Sequence, residues 1–442
     1  MEDAVPPVAS NEPRATTATL MEEVADIGNL RQAFQKVRAN RGAPGPDGMT
    51  VEELGQWMAV HVEDLRRELL EGRYNPQPVR GVAIPKAGGG ERTLGIPNVR
   101  DRLVQQALLL RLEPIFDPAF SESSFGFRPG RSAHGALRQG QRHVEEGREI
   151  VVDLDLEKFF DRVNHDVLMG RVARRVDDKR VLGLIRRFLT AGLMSNGVCV
   201  QREEGTPQGG PLSPLLANIL LDDMDKELER RGHRFCRYAD DLNIYVASQK
   251  AGERVMASVT KFLAKRLKLR VNRGKSAVDH VSRRKFLGYC ILGPGEGLGI
   301  HAKSVERFKD KVRAWTKRNR SWGLPKVVAG LNRLIRGWMG YFHLGRTKSL
   351  MGELDAWIRR KIRCLKLKHC KCMSGIWRFL ASRGVSASAA RQLGSSGKGW
   401  WRLSLTRQAH RAMDKRWFKE LGLASLWDEH SRLTLVRNRR MP

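Results

Sequence analysis

Two adjacent carboxylates, Asp240 and Asp241, stand between two short runs of strand character, and this arrangement constrains the fold more than any other stretch of the chain. Arg234-Phe235-Cys236-Arg237-Tyr238 alternates polar with apolar residues upstream, and Leu242-Asn243-Ile244-Tyr245-Val246 does so downstream. A period of two marks a strand with one buried face. The spacing therefore predicts a β-hairpin with both acids at its turn. Alone, an Asp-Asp pair is most often a solvated turn, so the reading depends on what else the chain supplies.

A second acidic cluster supplies it. Val151-Val152-Asp153-Leu154-Asp155-Leu156-Glu157-Lys158-Phe159-Phe160-Asp161 also reads as a strand, and its carboxylates interrupt an apolar run. Ionised carboxylates are tolerated in such a place when they bind metal. Two Mg²⁺ ions about 3.5–4 Å apart, clamping an attacking and a leaving oxygen, require acids that converge from separate strands. Asp155 with Asp240 and Asp241 meets that requirement.

At 442 residues the chain exceeds one ordinary domain and buries a core without staples. Six scattered cysteines suit reduced thiols in a cytosolic protein. Cys364, His369, Cys370 and Cys372 lack paired C-x2-C half-sites and read as incidental groups on a lysine-rich helix. No apolar run approaches the ~18 residues of a membrane span, and the acidic, polar N-terminus is unlike a secretory leader. Residues 1–25 are expected to be a disordered tail.

The net charge of +32 is segregated. Residues 301–442 carry 34 Lys and Arg against eight Asp and Glu, whereas residues 1–300 carry 46 against 40. Such a field implies a phosphate-backbone partner with strong salt dependence. Tryptophans threaded through the basic third, among them Trp315, Trp357, Trp377 and Trp401, set it apart from a face charged for solubility.

Residues 26–75 read as helical around the turn-rich Arg41–Gly48. Val82–Lys86 and Glu91–Ile96 then flank Gly88-Gly89-Gly90, a hairpin that places Lys86 and Arg92 on paired strands. Two cations there suit a triphosphate; edge-strand charge that discourages aggregation accounts for them equally well. A helix from Arg100 is expected to end before Pro114, and Ser132 to cap the next. Gly205–Pro214 is a Gly/Pro loop leading into a helix capped by Ser213, with Gln208 able to touch a base or sugar. Leu267–Lys275 reads as a strand segment. From residue 301 the period becomes helical: Leu331, Leu334, Ile335 and Trp338 form one stripe, and Leu354, Trp357, Ile358, Ile362 and Leu365 another. Arg359, Arg360, Arg363 and Lys366 lie off the second stripe and are expected on an RNA-facing surface.

Taken in order, these blocks resemble the reverse transcriptases encoded by group II introns, in the form without a C-terminal HNH nuclease. Ile84-Pro85-Lys86 to Pro97 is similar to the first fingers block and Phe125-Gly126-Phe127-Arg128-Pro129-Gly130 to the second. Asp153–Asp161 is similar to the first palm acid block, Thr206–Pro214 to the glutamine loop, Tyr238-Ala239-Asp240-Asp241 to the YADD hairpin, and Phe286-Leu287-Gly288-Tyr289 to the last palm block. Arg336-Gly337-Trp338, Tyr341-Phe342 and Leu354-Asp355-Ala356-Trp357 resemble the thumb, or maturase, domain.

The resemblance implies an α+β right-hand polymerase: fingers and an antiparallel palm sheet in 26–300, a helical thumb in 301–373 and a small basic nucleic-acid-binding segment in 374–442. It implies an RNA-directed DNA polymerase with Asp155, Asp240 and Asp241 as catalytic metal ligands for two Mg²⁺ ions, Mn²⁺ substituting. Asp155 is preferred to Asp153 because Phe160 then falls where the family places the aromatic that screens the sugar 2′ position. Lys86, Arg92, Phe160 and Gln208 would hold the dNTP; Tyr238, Ala239 and Arg128 would contact primer and template. Intron RNA, an RNA template, a DNA primer or target and dNTPs are the implied partners, in a bacterial cytosol. No HNH or RNase H set is recognisable, so target cleavage is not expected of this chain. An intron-free enzyme of repair or phage defence, and a splicing cofactor whose polymerase is secondary, share the same motifs.

Overall fold

The computed structural model describes residues 17–85, 90–195, 198–200, 204–206 and 209–439. The chain divides into two compact units, Met1–His280 and Val281–Pro442.

The first unit opens with helices α1 (Leu20–Val24), α2 (Ile27–Asn40) and α3 (Val51–Leu70). Asp26 caps α2 by accepting from the Asn29 amide, and Thr50 and Glu53 form a capping box on α3. The expected tail to residue 25 needs correction. Leu20, Met21, Val24 and Ala25 are buried in the main core, and the Met21 amide donates to Asp178 at 2.9 Å. Three apolar residues within five give even a single turn enough surface to bury.

Strands β1 (Val79–Pro85) and β2 (Glu91–Ile96) form the expected antiparallel hairpin. Helix α4 (Val99–Phe116) continues through Pro114, against the expected stop. Proline there removes one amide donor in the last turn, a smaller loss than in the middle of a helix. Helix α5 (Ala133–Glu145) starts at Ser132, whose hydroxyl accepts from the Gly135 amide as expected.

Then follow β3 (Ile150–Leu154), α6 (His165–Val172), α7 (Lys179–Thr190), β4 (Leu193–Ser195), β5 (Val198–Val200) and α8 (Ser213–Arg230). In α8 the cap position belongs to Leu212, so Ser213 lies in the first turn instead of capping it. The unit closes with β6 (Arg234–Tyr238), β7 (Asp241–Val246), α9 (Gln249–Phe262) and β8 (Ala277–His280). The last strand thus begins beyond the segment expected to form it.

Two four-stranded sheets result, ordered β2-β1-β4-β5 and β6-β7-β3-β8, the second antiparallel at every pairing. Alternation sends Phe235, Leu242, Ile244, Val152 and Leu154 into the core. The opposite face carries Tyr238, Asp241 and Asp153, with Asp155 following in the same phase.

The second unit holds a hairpin, β9 (Tyr289–Gly293) and β10 (Gly297–Ile300), then α10 (Ala302–Trp315), α11 (Leu324–Phe342) and α12 (Lys348–His369). The Tyr289 hydroxyl donates to the Tyr341 carbonyl, and Tyr341 donates to the carbonyl of Leu287 at 2.7 Å. The Phe286–Tyr289 block therefore packs with the helices that follow it, and the division falls near 280, not at the expected 300.

Helices α13 (Met373–Ser382), α14 (Ala387–Gly394), α15 (Trp400–Leu403), α16 (Arg407–Ala412), α17 (Lys415–Glu420) and α18 (Leu426–Arg439) complete the unit. They are no separate appendage. Asp355 of α12 is buried and accepts from Ser425 Oγ at 2.8 Å, the Leu426 amide at 2.8 Å and the Trp427 amide at 3.2 Å, so one carboxylate caps α18 from another helix. Among the described residues no helix is long and apolar enough to cross a membrane.

Asp355→Ala removes three acceptor contacts at a buried helix end. It is expected to lower the stability of this unit by about 2 kcal/mol. Thermal unfolding measures the loss, and limited proteolysis should cut first at residues 421–439; an unchanged melt would show that α18 is held by its apolar contacts alone.

Candidate active site

The hairpin of β6 and β7 turns in two residues, Ala239 and Asp240, with Tyr238 paired to Asp241. Leu242 pairs with Leu154 on β3. One step beyond that pair, the register carries Asp155 to the level of Asp241. Asp240 and Asp155 feel each other: burial first, and then the charge of Asp155, hold the Asp240 carboxyl above the usual carboxylate range. Asp153 lies one pleat away, paired with Asn243, about 7 Å from Asp155 along the strand.

Asp155 is held through its backbone. Its amide donates to Ser276 Oγ at 3.0 Å, its carbonyl accepts from the Asn272 amide at 2.9 Å, and Lys275 Nζ lies 3.7 Å from its carboxylate. Phe160 follows in a short 3-10 turn, half-buried and edge-on to Phe159. The loop leading to Gln208 is tied to that turn, since the Thr206 amide donates to the Phe160 carbonyl at 2.6 Å and the Gly205 amide to that of Val163 at 2.8 Å. On its far side the loop touches β2. A Cβ on Gly209, where φ is +142°, would sit 2.5 Å from the Gly95 carbonyl oxygen, so only glycine permits the approach.

Gly95 of β2, the backbone at Gly205, Thr206 and Gly209, and the Phe160 turn are thus drawn together. Lys86, Gln208 and the side chain of Arg92 themselves lie outside the described residues.

Comparison with known proteins agrees with this arrangement. Residues 84–291 match the reverse transcriptase (RNA-dependent DNA polymerase) family, and residues 305–381 match the group II intron maturase-specific domain. Protein YkfC of Escherichia coli is 34% identical over 325 residues, which cover 64% of this chain and 84% of that protein. The chain belongs to the group II intron reverse transcriptase/maturase family. The group II intron-encoded protein LtrA of Lactococcus lactis is 30% identical over 59% of this chain and 54% of its own length. The putative COX1/OXI3 intron 1 protein of Saccharomyces cerevisiae is 31% identical over 66% of this chain and 36% of its own length. The chain thus spans about half of LtrA.

Reverse transcriptases depend on divalent metal, and the donor set of this one suits a hard cation. Among the described residues, the three acids included, no three Asp, Glu, His or Cys side chains converge closely enough to enclose an ion. Mg²⁺ needs no such cage; one or two carboxylates with substrate phosphates and water suffice. Asp155, with Lys275 3.7 Å from one carboxylate oxygen, and Asp240 are hard oxygen donors of the kind that such a cation takes.

Other expected site residues need correction. The Arg128 guanidinium is buried and spent inside the protein, donating to Asp117 Oδ1 at 2.7 Å, to the Asp117 carbonyl at 2.8 Å, and to the carbonyls of Ser121 and Ser124 at 2.6 and 3.0 Å. With a fifth bond, from Nη2 to Asp117 Oδ2 at 3.4 Å, it braces the 117–128 loop and has no donor left for a template. Arg363 is likewise buried, donating to the Met413 carbonyl at 3.0 Å against the Phe418 ring. Arg360 stacks 3.6 Å from the Trp401 ring and Lys366 4.4 Å from that of Phe379. Helices after residue 373 cover this part of α12, so its cations roof aromatic rings where a solvent-facing basic surface was expected. Arg359 remains half-buried.

Sequence reasoning also missed Arg237, Asp225, Asn218, Lys275 and Ser276. Arg237 lies inside the motif but reads as an alternating strand residue, and nothing in the sequence pairs it with an acid twelve positions earlier.

On the same helix as Asp225, Asp222 has a buried Oδ1 without a partner, and burial followed by the charge of Asp225 pushes its pKa to about 6. A folded-state pKa above the unfolded value means that the acid form favours folding below about pH 4 and that this is lost as pH rises through 6. Asp222→Asn is therefore expected to add up to roughly 2–3 kcal/mol at pH 7 and almost nothing at pH 4. Denaturant unfolding at the two pH values measures the difference, and an equal effect at both would remove Asp222 from the account.

Proposed function

We propose that this chain extends a DNA primer on an RNA template by nucleotidyl transfer at Asp155, Asp240 and Asp241, and binds group II intron RNA to assist its splicing and mobility. The observation that carries the reading is the strand register, which pairs Leu154 with Leu242 and Tyr238 with Asp241 and so brings the end of β3, where Asp155 follows, to the turn that holds Asp240 and Asp241. In this reading β6-β7-β3-β8 is the palm sheet, the β1–β2 hairpin with the preceding helices forms the fingers, and α10–α12 belong to the thumb.

Two Mg²⁺ ions held by the three acids, replaceable by Mn²⁺, would favour the ionised primer 3′-hydroxyl and offset charge on the departing pyrophosphate. The carboxylates would act on the incoming α-phosphate only through the ions they hold, since like charges repel. Phe160 occupies the space beside the sugar 2′ carbon, held there by Phe159 and the Thr206 bond. Tyr238 and Ala239 line the primer end; Lys86, Arg92 and Gln208 grip triphosphate and base. RNA contact on α12 falls to Arg359 and to the outer edges of Arg360 and Lys366, with Arg363 serving the fold.

Asp155→Asn, Asp240→Asn and Asp241→Asn keep shape and remove charge. Each is expected to lower primer extension on an RNA template by roughly 10³-fold or more, equivalent to about 4 kcal/mol of transition-state stabilisation, with intron RNA affinity retained. Near wild-type extension by any one of them in Mg²⁺ would remove that residue from the ligand set. If all three extend normally, the reading as a polymerase at this site fails.

Phe160→Ala is expected to admit ribonucleotides. An aromatic wall rejects a 2′-hydroxyl by clash, so truncation should raise rNTP relative to dNTP incorporation roughly tenfold or more while much dNTP activity survives. Single-nucleotide incorporation with matched rNTP and dNTP measures the ratio. No change would return the choice between Asp153 and Asp155.

A further inference from the structure

The backbone at Ala239 is left-handed, with φ at +56°. A residue with a Cβ adopts that conformation at a cost of roughly 1–2 kcal/mol unless its surroundings impose it. Here they do. Arg237 is fully buried, and all five of its guanidinium N–H groups are engaged. Nε donates to Asp225 Oδ1 at 2.8 Å, while Nη2 donates to Asp225 Oδ2 and to Ser124 Oγ at 2.7 Å. Nη1 donates to Asn218 Oδ1 at 2.8 Å and to the carbonyl of Ala239 at 3.0 Å. That last acceptor belongs to the peptide unit that leads into Asp240.

From the other side the turn is pressed by the 123–126 segment. The Phe125 amide donates to the Arg237 carbonyl and the Arg237 amide to that of Ser123, both at 2.9 Å. Asn218 Nδ2 donates to the Gly126 carbonyl at 2.9 Å. A Cβ on Gly126 would stand 2.2 Å from the Ala239 nitrogen, a distance that no side chain can occupy.

We propose that Arg237, seated on Asp225 and backed by Gly126, is the positioning residue of the metal site: it fixes the Ala239 carbonyl and so aims the Asp240 carboxylate toward Asp155. The proposal rests on the assignment of these acids as metal ligands. Lysine cannot take over the role, because a single ammonium cannot reach Asp225, Asn218, Ser124 and the turn together.

The test is binding of Mn²⁺ to the nucleic-acid-free protein, followed by electron paramagnetic resonance, beside the Mg²⁺ midpoint of primer extension. Three variants are compared: Arg237→Lys, Gly126→Ala, and Arg237→Met combined with Asp225→Leu. The double variant removes both buried charges together, a replacement that commonly preserves folding. Each is expected to bind Mn²⁺ roughly tenfold or more weakly, the usual consequence of losing a partner that orients a metal ligand. The Mg²⁺ midpoint should rise by a similar factor, extension should recover in part at saturating metal, and intron RNA affinity should hold.

A folded double variant whose Mn²⁺ affinity and Mg²⁺ midpoint stay within twofold of wild type would overturn the proposal. If that variant fails to fold, Gly126→Ala decides, since it leaves no charge uncompensated; unchanged metal binding there would also overturn it. Asp240→Asn separates this outcome from failure of the ligand assignment. If Asp240→Asn binds Mn²⁺ as wild type does, the assignment itself is wrong.

Discussion

A single guanidinium on β6 joins segments that the chain keeps far apart. Arg237 reaches α8 through Asp225 and Asn218, the 121–126 loop through Ser124, and the acidic turn through the carbonyl of Ala239. Both members of the ion pair are fully buried. Such a pair gains little net stability, because desolvation cancels most of the attraction. What it supplies is geometry, since a planar fork with five donors has one satisfied arrangement here, and departing from it strands a buried charge.

Strand alternation makes this possible. Arg237 and Tyr238 are neighbours in sequence and face opposite sides of the sheet, so one can be buried against α8 while the next presents the working face. The acids then inherit a fixed floor. Asp155 is held by Ser276 and Asn272 through its backbone, and its carboxylate lies 3.7 Å from Lys275 Nζ.

Residues 281–442 solve a different problem, the packing of many cations with few acids. Arg360, Lys361 and Lys366 lie over Trp401, Trp357 and Phe379. A ring face attracts a cation without supplying a formal negative charge, so the unit stays strongly basic while its long side chains are ordered. The tryptophans therefore have a role in packing as well as any they have toward RNA.

The hairpin of Asp240 and Asp241, the strand ending at Asp155, the Ser132 cap and the helical stripes of α11 and α12 were legible because each rests on local periodicity or on a cap. Several features were not legible. Arg128 and Arg363 read as nucleic-acid contacts and are buried braces, α1 read as tail and belongs to the core, and the Phe286–Tyr289 block sits with the helices after it. For three of these the partner lies far along the chain, Asp178 for Met21, Met413 for Arg363 and Tyr341 for Tyr289, whereas Arg128 is closed over by its own loop. Sequence alone determined the hairpin that turns at Asp240 and the strand that leads to Asp155, since two-residue periodicity acts between neighbours. Tertiary structure decided which cations are free and what holds the turn in place, because burial and hydrogen-bond satisfaction are set by whatever distant segment closes over each side chain.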